Sequence, residues 1–166
     1  MAEETKDQVV RYLNDSYAAE TGGMASLKDL AAETTDSDVR QAAQNHIAVA
    51  QSHADKVAAR IQALGGDKSE PKGIFNSVLA KASGVLNIFH SKEDKQTQDL
   101  IKLYAFEHFA VGAYTSLEAY ASAVGDTETA QLARSIIADK EKAGTQFLAL
   151  IPQLAVASVT NSTGTV

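Results

Sequence analysis

The sequence predicts an all-α protein built as a four-helix bundle, with one long crossover between its second and third helices. Three observations carry this reading. Four segments space their apolar residues by alternating threes and fours, the inward stripe of a bundle helix. Two of the three joins are short and the middle one is long. The composition fits long helices, with ten glycines, only two prolines and 45% hydrophobic residues in 166, a balance that also excludes wholesale disorder.

The first helix is expected from about Glu4 to Thr34. Its stripe is Val10, Leu13, Tyr17, Glu20, Met24, Leu27 and Ala31, with an acid at its middle. The second opens at Thr35-Asp36-Ser37-Asp38, a run of N-cap residues, and stops at Gly65-Gly66. Val39, Ala43, His46, Ala50, His53, Val57 and Leu64 line its inward face, so two histidines one heptad apart point with the apolar residues.

Residues 65–93 form the crossover, in which Ile74 to Phe89 reads as a short amphipathic helix. A connection of this length allows the helices it joins to run parallel. The third helix, roughly Asp94 to Ala123, places Leu100, Leu103, Glu107, Ala110, Tyr114, Leu117 and Ala121 inward, again with a central glutamate. After the tight turn Gly125-Asp126, the fourth helix runs from about Thr127 to Leu154, apolar at Ala133, Ile136, Ile137, Phe147, Leu148 and Ile151. Residues 1–154 then make one domain, and residues 155–166 a flexible tail.

A charge in a bundle core costs several kcal/mol unless something pairs with it. Glu20 and Glu107 occupy equivalent inward positions, within the related tetrads Tyr17-Ala18-Ala19-Glu20 and Tyr104-Ala105-Phe106-Glu107. Helical bundles commonly satisfy such acids with a dinuclear metal centre, one glutamate from each of two helices and Glu-x-x-His from the others. Carboxylate and imidazole suit iron, manganese or zinc.

The order of two hairpins, the Leu13-to-Glu20 register and the segment Glu107-His108-Phe109 resemble the ferritin-like superfamily, and more narrowly the bacterial YciE/YciF-type stress proteins. The resemblance spans about residues 5–154. It implies a ferritin-like bundle, a homodimer, a role in stress response, and a metal site of Glu20, His53, Glu107 and Glu141 holding one or two ions of iron or manganese. His46, Tyr17, Tyr104, His108 and Lys140 are candidates for its surroundings. Ala50-Gln51-Ser52-His53 keeps the histidine of Glu-x-x-His without its glutamate, and no histidine follows Ala138-Asp139-Lys140-Glu141.

Three functions are therefore open: a ferritin-like metal-binding stress protein without robust turnover, a metal-free dimeric helical scaffold, and a di-iron or di-manganese oxidase or peroxidase. Lys140 discriminates among them. It stands the same step from Glu107 (107 to 140) as His53 does from Glu20 (20 to 53), so it is expected inward. An inward ammonium supplies the charge an ion would bring and limits the site to one ion or none. A helix rotated by one residue would bring in Glu141 instead.

Other classes are excluded or disfavoured. The chain has no cysteine, which removes disulfides and thiolate sites. Fifteen basic against twenty-one acidic residues, interspersed, disfavour nucleic acid. There is no phosphate-cradling glycine loop and no Gly-x-Ser-x-Gly. No apolar run reaches a membrane span, and MAEETKDQ lacks the signal-peptide pattern, so a cytoplasmic location is expected.

Overall fold

Alternating apolar residues and well-formed caps produce four long helices in a computed structural model, which describes residues 3–68 and 94–162. They are α1 (Glu3–Glu33), α2 (Ser37–Ala63), α3 (Lys95–Ala123) and α4 (Thr127–Ser162). The described residues contain no strand. Asp36 starts α2 as read from the sequence: its Oδ1 accepts from the backbone N–H of Asp38 (2.9 Å) and Val39 (3.0 Å).

α2 ends in a doubly bonded cap. The Gly65 N–H donates to the Gln62 carbonyl and the Gly66 N–H to that of Ile61. Gly65 has φ 71°, the left-handed region that glycine enters without a Cβ penalty. Gly66 lies so close to α1 that a Cβ there would stand 2.7 Å from Val10 Cγ1. The α3–α4 turn repeats this cap at Gly125 and Asp126, whose N–H groups reach the carbonyls of Ser122 and Ala121.

α1 packs on α2 and α3, and α4 packs on α2 and α3, so the helices form a ring in which α2 and α3 are diagonal. Contacts at the ends give their directions. Thr34 at the end of α1 bonds Gln96 at the start of α3, and Tyr120 near the end of α3 bonds Gln8 near the start of α1. Arg60 at the end of α2 grips Asp126 and Thr129 at the start of α4. α1 and α3 are thus antiparallel, as are α2 and α4, and the diagonal pair α2 and α3 runs parallel, as the long connection allows. The expected crossover helix, Ile74 to Phe89, lies outside the described residues.

The apolar core falls into two main clusters. Val9, Leu13, Val57, Ile61, Leu117 and Ile136 fill one end of the bundle. Leu27, Leu30, Val39, Leu100, Leu103 and Phe147 fill the other. On every helix the residues between these clusters include a charged or imidazole side chain.

Three sequence expectations need correction. α4 does not stop at Leu154 but continues through Pro152 and Leu154 to Ser162, with Leu154 and Ser158 both buried. Leu148 is half exposed, because the inward phase belongs to its neighbour Phe147. On α1 it is Val9 that is fully buried, with Val10 only packing against the edge of the core.

Candidate functional site

The polar layer between the two apolar clusters is assembled from all four helices. Glu20 comes from α1, His46 and His53 from α2, Glu107 and Tyr114 from α3, and Asp139 and Lys140 from α4. Glu20, His53, Glu107 and Lys140 are each 1% exposed, as dry as the leucines around them.

Lys140 is the hub. Its Nζ donates to Glu20 Oε2 at 2.9 Å and forms an ion pair with Glu107 Oε2 at 3.3 Å. The same ammonium lies 5.7 Å from the centroid of the Phe106 ring. Around this hub each acid has a second support. The Tyr114 hydroxyl donates to Glu20 Oε1 at 3.0 Å. His46 Nε2 donates to Glu107 Oε1 at 3.0 Å, and the His46 ring meets Phe147 edge-on at 5.4 Å.

His53 Nε2 donates to Asp139 Oδ2 at 3.0 Å, which leaves Nδ1 facing Glu20 Oε2 at 3.7 Å, beyond hydrogen-bond range. His53 Nδ1 and Glu107 Oε2 are buried polar atoms without a hydrogen-bond partner. Glu107 Oε2 is therefore held by charge alone.

The electrostatics follow from this arrangement. Burial pushes the Glu20 carboxyl up, but His53 and the Lys140 ammonium outweigh it and hold the group below its ordinary value. Burial opposes the charge on Lys140, and the Glu20 and Glu107 carboxylates overcome it, so the ammonium titrates above its ordinary value. Burial, then the charge of Glu20, raises the Tyr114 phenol well above 10.0. The layer is a stabilised ion cluster, with Lys140 cationic and Glu20 anionic at neutral pH.

Of the residues singled out from sequence, Glu20, His46, His53, Glu107 and Lys140 are brought together. Glu141 is not: it is exposed, because Lys140 takes the inward position and the next residue is turned about 100° away. His108 is also exposed; its ring lies edge-on to Tyr104 at 4.5 Å and against Gly144. Tyr17 and Tyr104 reach neither glutamate and pack at the edges of the apolar clusters. The sequence reading missed Tyr114 and Asp139. Tyr114 stands one heptad after Glu107, a signal that was present but indistinguishable from ordinary aromatic packing.

A ferritin-like bundle implies a metal centre, and the donor chemistry decides whether one fits. Two carboxylates lie in the layer with an imidazole near one of them, but the ammonium of Lys140 stands between the carboxylates, and among the described residues no second pair of acids completes a dinuclear set. Among the described residues, no three His, Asp or Glu side chains are grouped so as to hold an ion. These residues do not fit a di-metal cluster.

A family model described as "Domain of unknown function (DUF892)" matches residues 4–160. No curated protein matches the sequence. Solved structures do. A protein from Xanthomonas campestris superposes with a TM-score of 0.80 at 19% identity, covering 96% of this chain and 99% of that one. The E. coli stress protein YciF gives 0.77 at 16% identity, covering 93% and 98%. A ferritin-like, diiron-carboxylate protein from Bacillus anthracis gives 0.72 at 18% identity, covering 91% and 99%. The fold is ferritin-like.

Proposed function

The chain belongs to the DUF892 family, and from that premise we propose that it is a ferritin-like stress protein of the YciE/YciF type. It acts as a cytoplasmic homodimer, and its bundle centre is closed by the Lys140 ammonium rather than by iron or manganese. The observation that carries this reading is the position of Lys140 Nζ, 2.9 Å from Glu20 Oε2 and 3.3 Å from Glu107 Oε2. A fixed positive charge there balances the buried carboxylates and repels a metal ion at close range.

The reading favours a helical module that works through its surface over an oxidase or peroxidase. Turnover with oxygen or peroxide needs metal ions with an open coordination position, and the acids that would bridge two ions are missing. Self-association is supported by Tyr12 and Phe109, 38% and 57% exposed, which border a groove of about 280 Å³ between α1 and α3. No helix among the described residues is long and apolar enough to cross a membrane.

The test is elemental analysis of the full-length protein, purified without chelator or nickel from cells supplied with iron and manganese. The reading expects neither metal in stoichiometric amount, together with a dimer by light scattering. Stoichiometric iron or manganese would overturn the ammonium-closed centre, and a monomer at high concentration would overturn the dimer.

A further inference from the structure

We propose that the furrow between α1 and α3 binds a long-chain primary amine, with the hydrocarbon tail in its apolar half and the ammonium against Asp29. The inference is independent of how the bundle centre is closed. It shares with the proposed dimer only the rims Tyr12 and Phe109.

The furrow holds two compartments laid end to end along the same pair of helices. One, of about 280 Å³, is lined by Tyr12, Ala18 and Ala19 of α1 and by Phe109 and Ala113 of α3. The other, of about 200 Å³, carries Asp29 and Glu33 of α1 and Lys95, Asp99 and Lys102 of α3. Phe106 lines both and marks where they meet. Gly23 makes room for that ring: a Cβ there would stand 3.0 Å from Phe106 Cε1. The ring therefore lies down between the helices, buried, and leaves a path over itself from one compartment to the other.

The apolar half is shaped as a slot. Two exposed aromatic side chains stand over a floor of alanines, and Asp15 is the one charged side chain that lines it among the described residues. Exposed apolar surface in a recess of this kind marks a binding groove. A narrow slot without polar partners suits a hydrocarbon chain.

The charged half is out of balance. Lys95 pairs with Glu33 and, at 2.7 Å, with Asp99, while Lys102 pairs with Asp99 at 3.3 Å. Both ammonium groups are thus engaged, and Asp29 has no ion pair or hydrogen bond among the described residues. Asp29 also stands one turn before Glu33 on the same face of α1, a like-charge spacing that opposes the helix. Three carboxylates face two cations, and the group that would balance them is a third cation.

Length joins the two halves. Between Ala19 and Asp29 the helix rises about 15 Å, the span of an extended alkyl chain of about twelve carbons. An ammonium at Asp29 then lays its tail over Phe106 and ends it between Tyr12 and Phe109. A carboxylate head on the same tail would meet the uncompensated acid, so the furrow selects the amine.

The test is isothermal titration of the full-length protein with dodecylamine and with dodecanoate, each below its aggregation concentration. Expected is one saturable amine per chain, bound at least about tenfold more tightly than dodecanoate. Asp29→Asn should weaken the amine by up to about fivefold, the range of a solvent-screened pair, without weakening dodecanoate. Phe109→Ala should weaken the amine about tenfold through lost apolar contact. Ala113→Phe, at an exposed position, fills the slot and should abolish binding while the melting temperature stays near that of wild type.

Uptake of the amine that does not saturate, equal affinity for dodecanoate, or full affinity in both Phe109→Ala and Ala113→Phe would overturn the proposal. Light scattering reads the dimer separately. A monomeric wild type that binds the amine upholds this site and removes the dimer.

Discussion

Lys140 on α4 and Glu20 on α1 form a buried ion pair across the diagonal of the bundle, Nζ to Oε2 at 2.9 Å, with both side chains at 2% exposure or less. A buried pair is weak evidence for net stability, since desolvation opposes the Coulomb attraction. Losing one partner is another matter. Lys140→Met should destabilise the fold by about 3–5 kcal/mol, because two carboxylates remain without their cation. Adding Glu20→Gln should recover part of that loss, so urea denaturation of the two single variants and the double variant should be clearly non-additive. Additive losses would mean that the pair is not coupled.

The tyrosines give a sharper contrast. Tyr114→Phe removes the hydroxyl that donates to Glu20 Oε1 and should cost about 1.5–3 kcal/mol, as expected for a hydrogen bond to a charged group. Tyr17→Phe and Tyr104→Phe should stay within about 0.5 kcal/mol of wild type, as should Glu141→Ala on the exposed face of α4. Thermal melts of the four variants would rank them, and a Tyr17→Phe loss equal to that of Tyr114→Phe would contradict the assigned contacts.

Stability should fall at both ends of the pH scale. Glu20 titrates below its ordinary 4.5 in the fold, so its contribution is complete above that pH and is lost as pH falls through the lower folded value. Lys140 titrates above its ordinary 10.5, so its contribution is complete below that pH and is lost as pH rises through the higher folded value. Tyr114, raised well above 10.0, acts in the same alkaline direction. Melting temperature against pH should show a neutral plateau, and Glu20→Gln should flatten its acid limb. An acid limb unchanged in Glu20→Gln would remove Glu20 as its source.

At the turn between α3 and α4, Asp126 has two tasks. Its carboxylate accepts from the Thr129 N–H at 3.0 Å, capping α4, and it pairs with Arg60 at 2.6 Å, tying α2 to α4. Asp126→Ala should cost about 1–2 kcal/mol by the lost cap alone, while Asp126→Asn, which keeps an oxygen for the cap, should lose less. Equal losses in chemical denaturation would assign the effect to the ion pair instead.

The sequence made Glu20, Glu107, His53 and Lys140 legible through a single property, their phase in the inward stripe. Each is a costly residue where a leucine would be expected. It could not identify which tyrosine serves Glu20. A helical side chain leans toward its own N-terminus. Tyr17 and Tyr104, placed before their glutamates, lean away from the layer, whereas Tyr114, placed after Glu107, leans back into it. Asp139 was hidden for a different reason. Its side chain is 47% exposed, and it reaches His53 only because α4 lies beside α2, a neighbour relation that no periodicity encodes. The length of α4 misled as well, since apolar spacing weakens after Leu154 although Ser158 is still covered.

The hydrogen bonds of the polar layer have one placement in common that bears on how the halves of the chain recognise each other. Lys140 to Glu20, Tyr114 to Glu20, His46 to Glu107 and His53 to Asp139 all join the α1–α2 hairpin to the α3–α4 hairpin. The two hairpins share the same apolar spacing, so grease alone would let either one mate with a copy of itself. Two first hairpins face to face would enclose a pair of Glu20 carboxylates without any ammonium. Two second hairpins would enclose Glu107 without its histidine and Lys140 without Glu20. Only the mixed pairing closes the circuit of charges. The layer acts as a password between the two halves, and it disfavours the doubled assemblies that an all-leucine centre would accept.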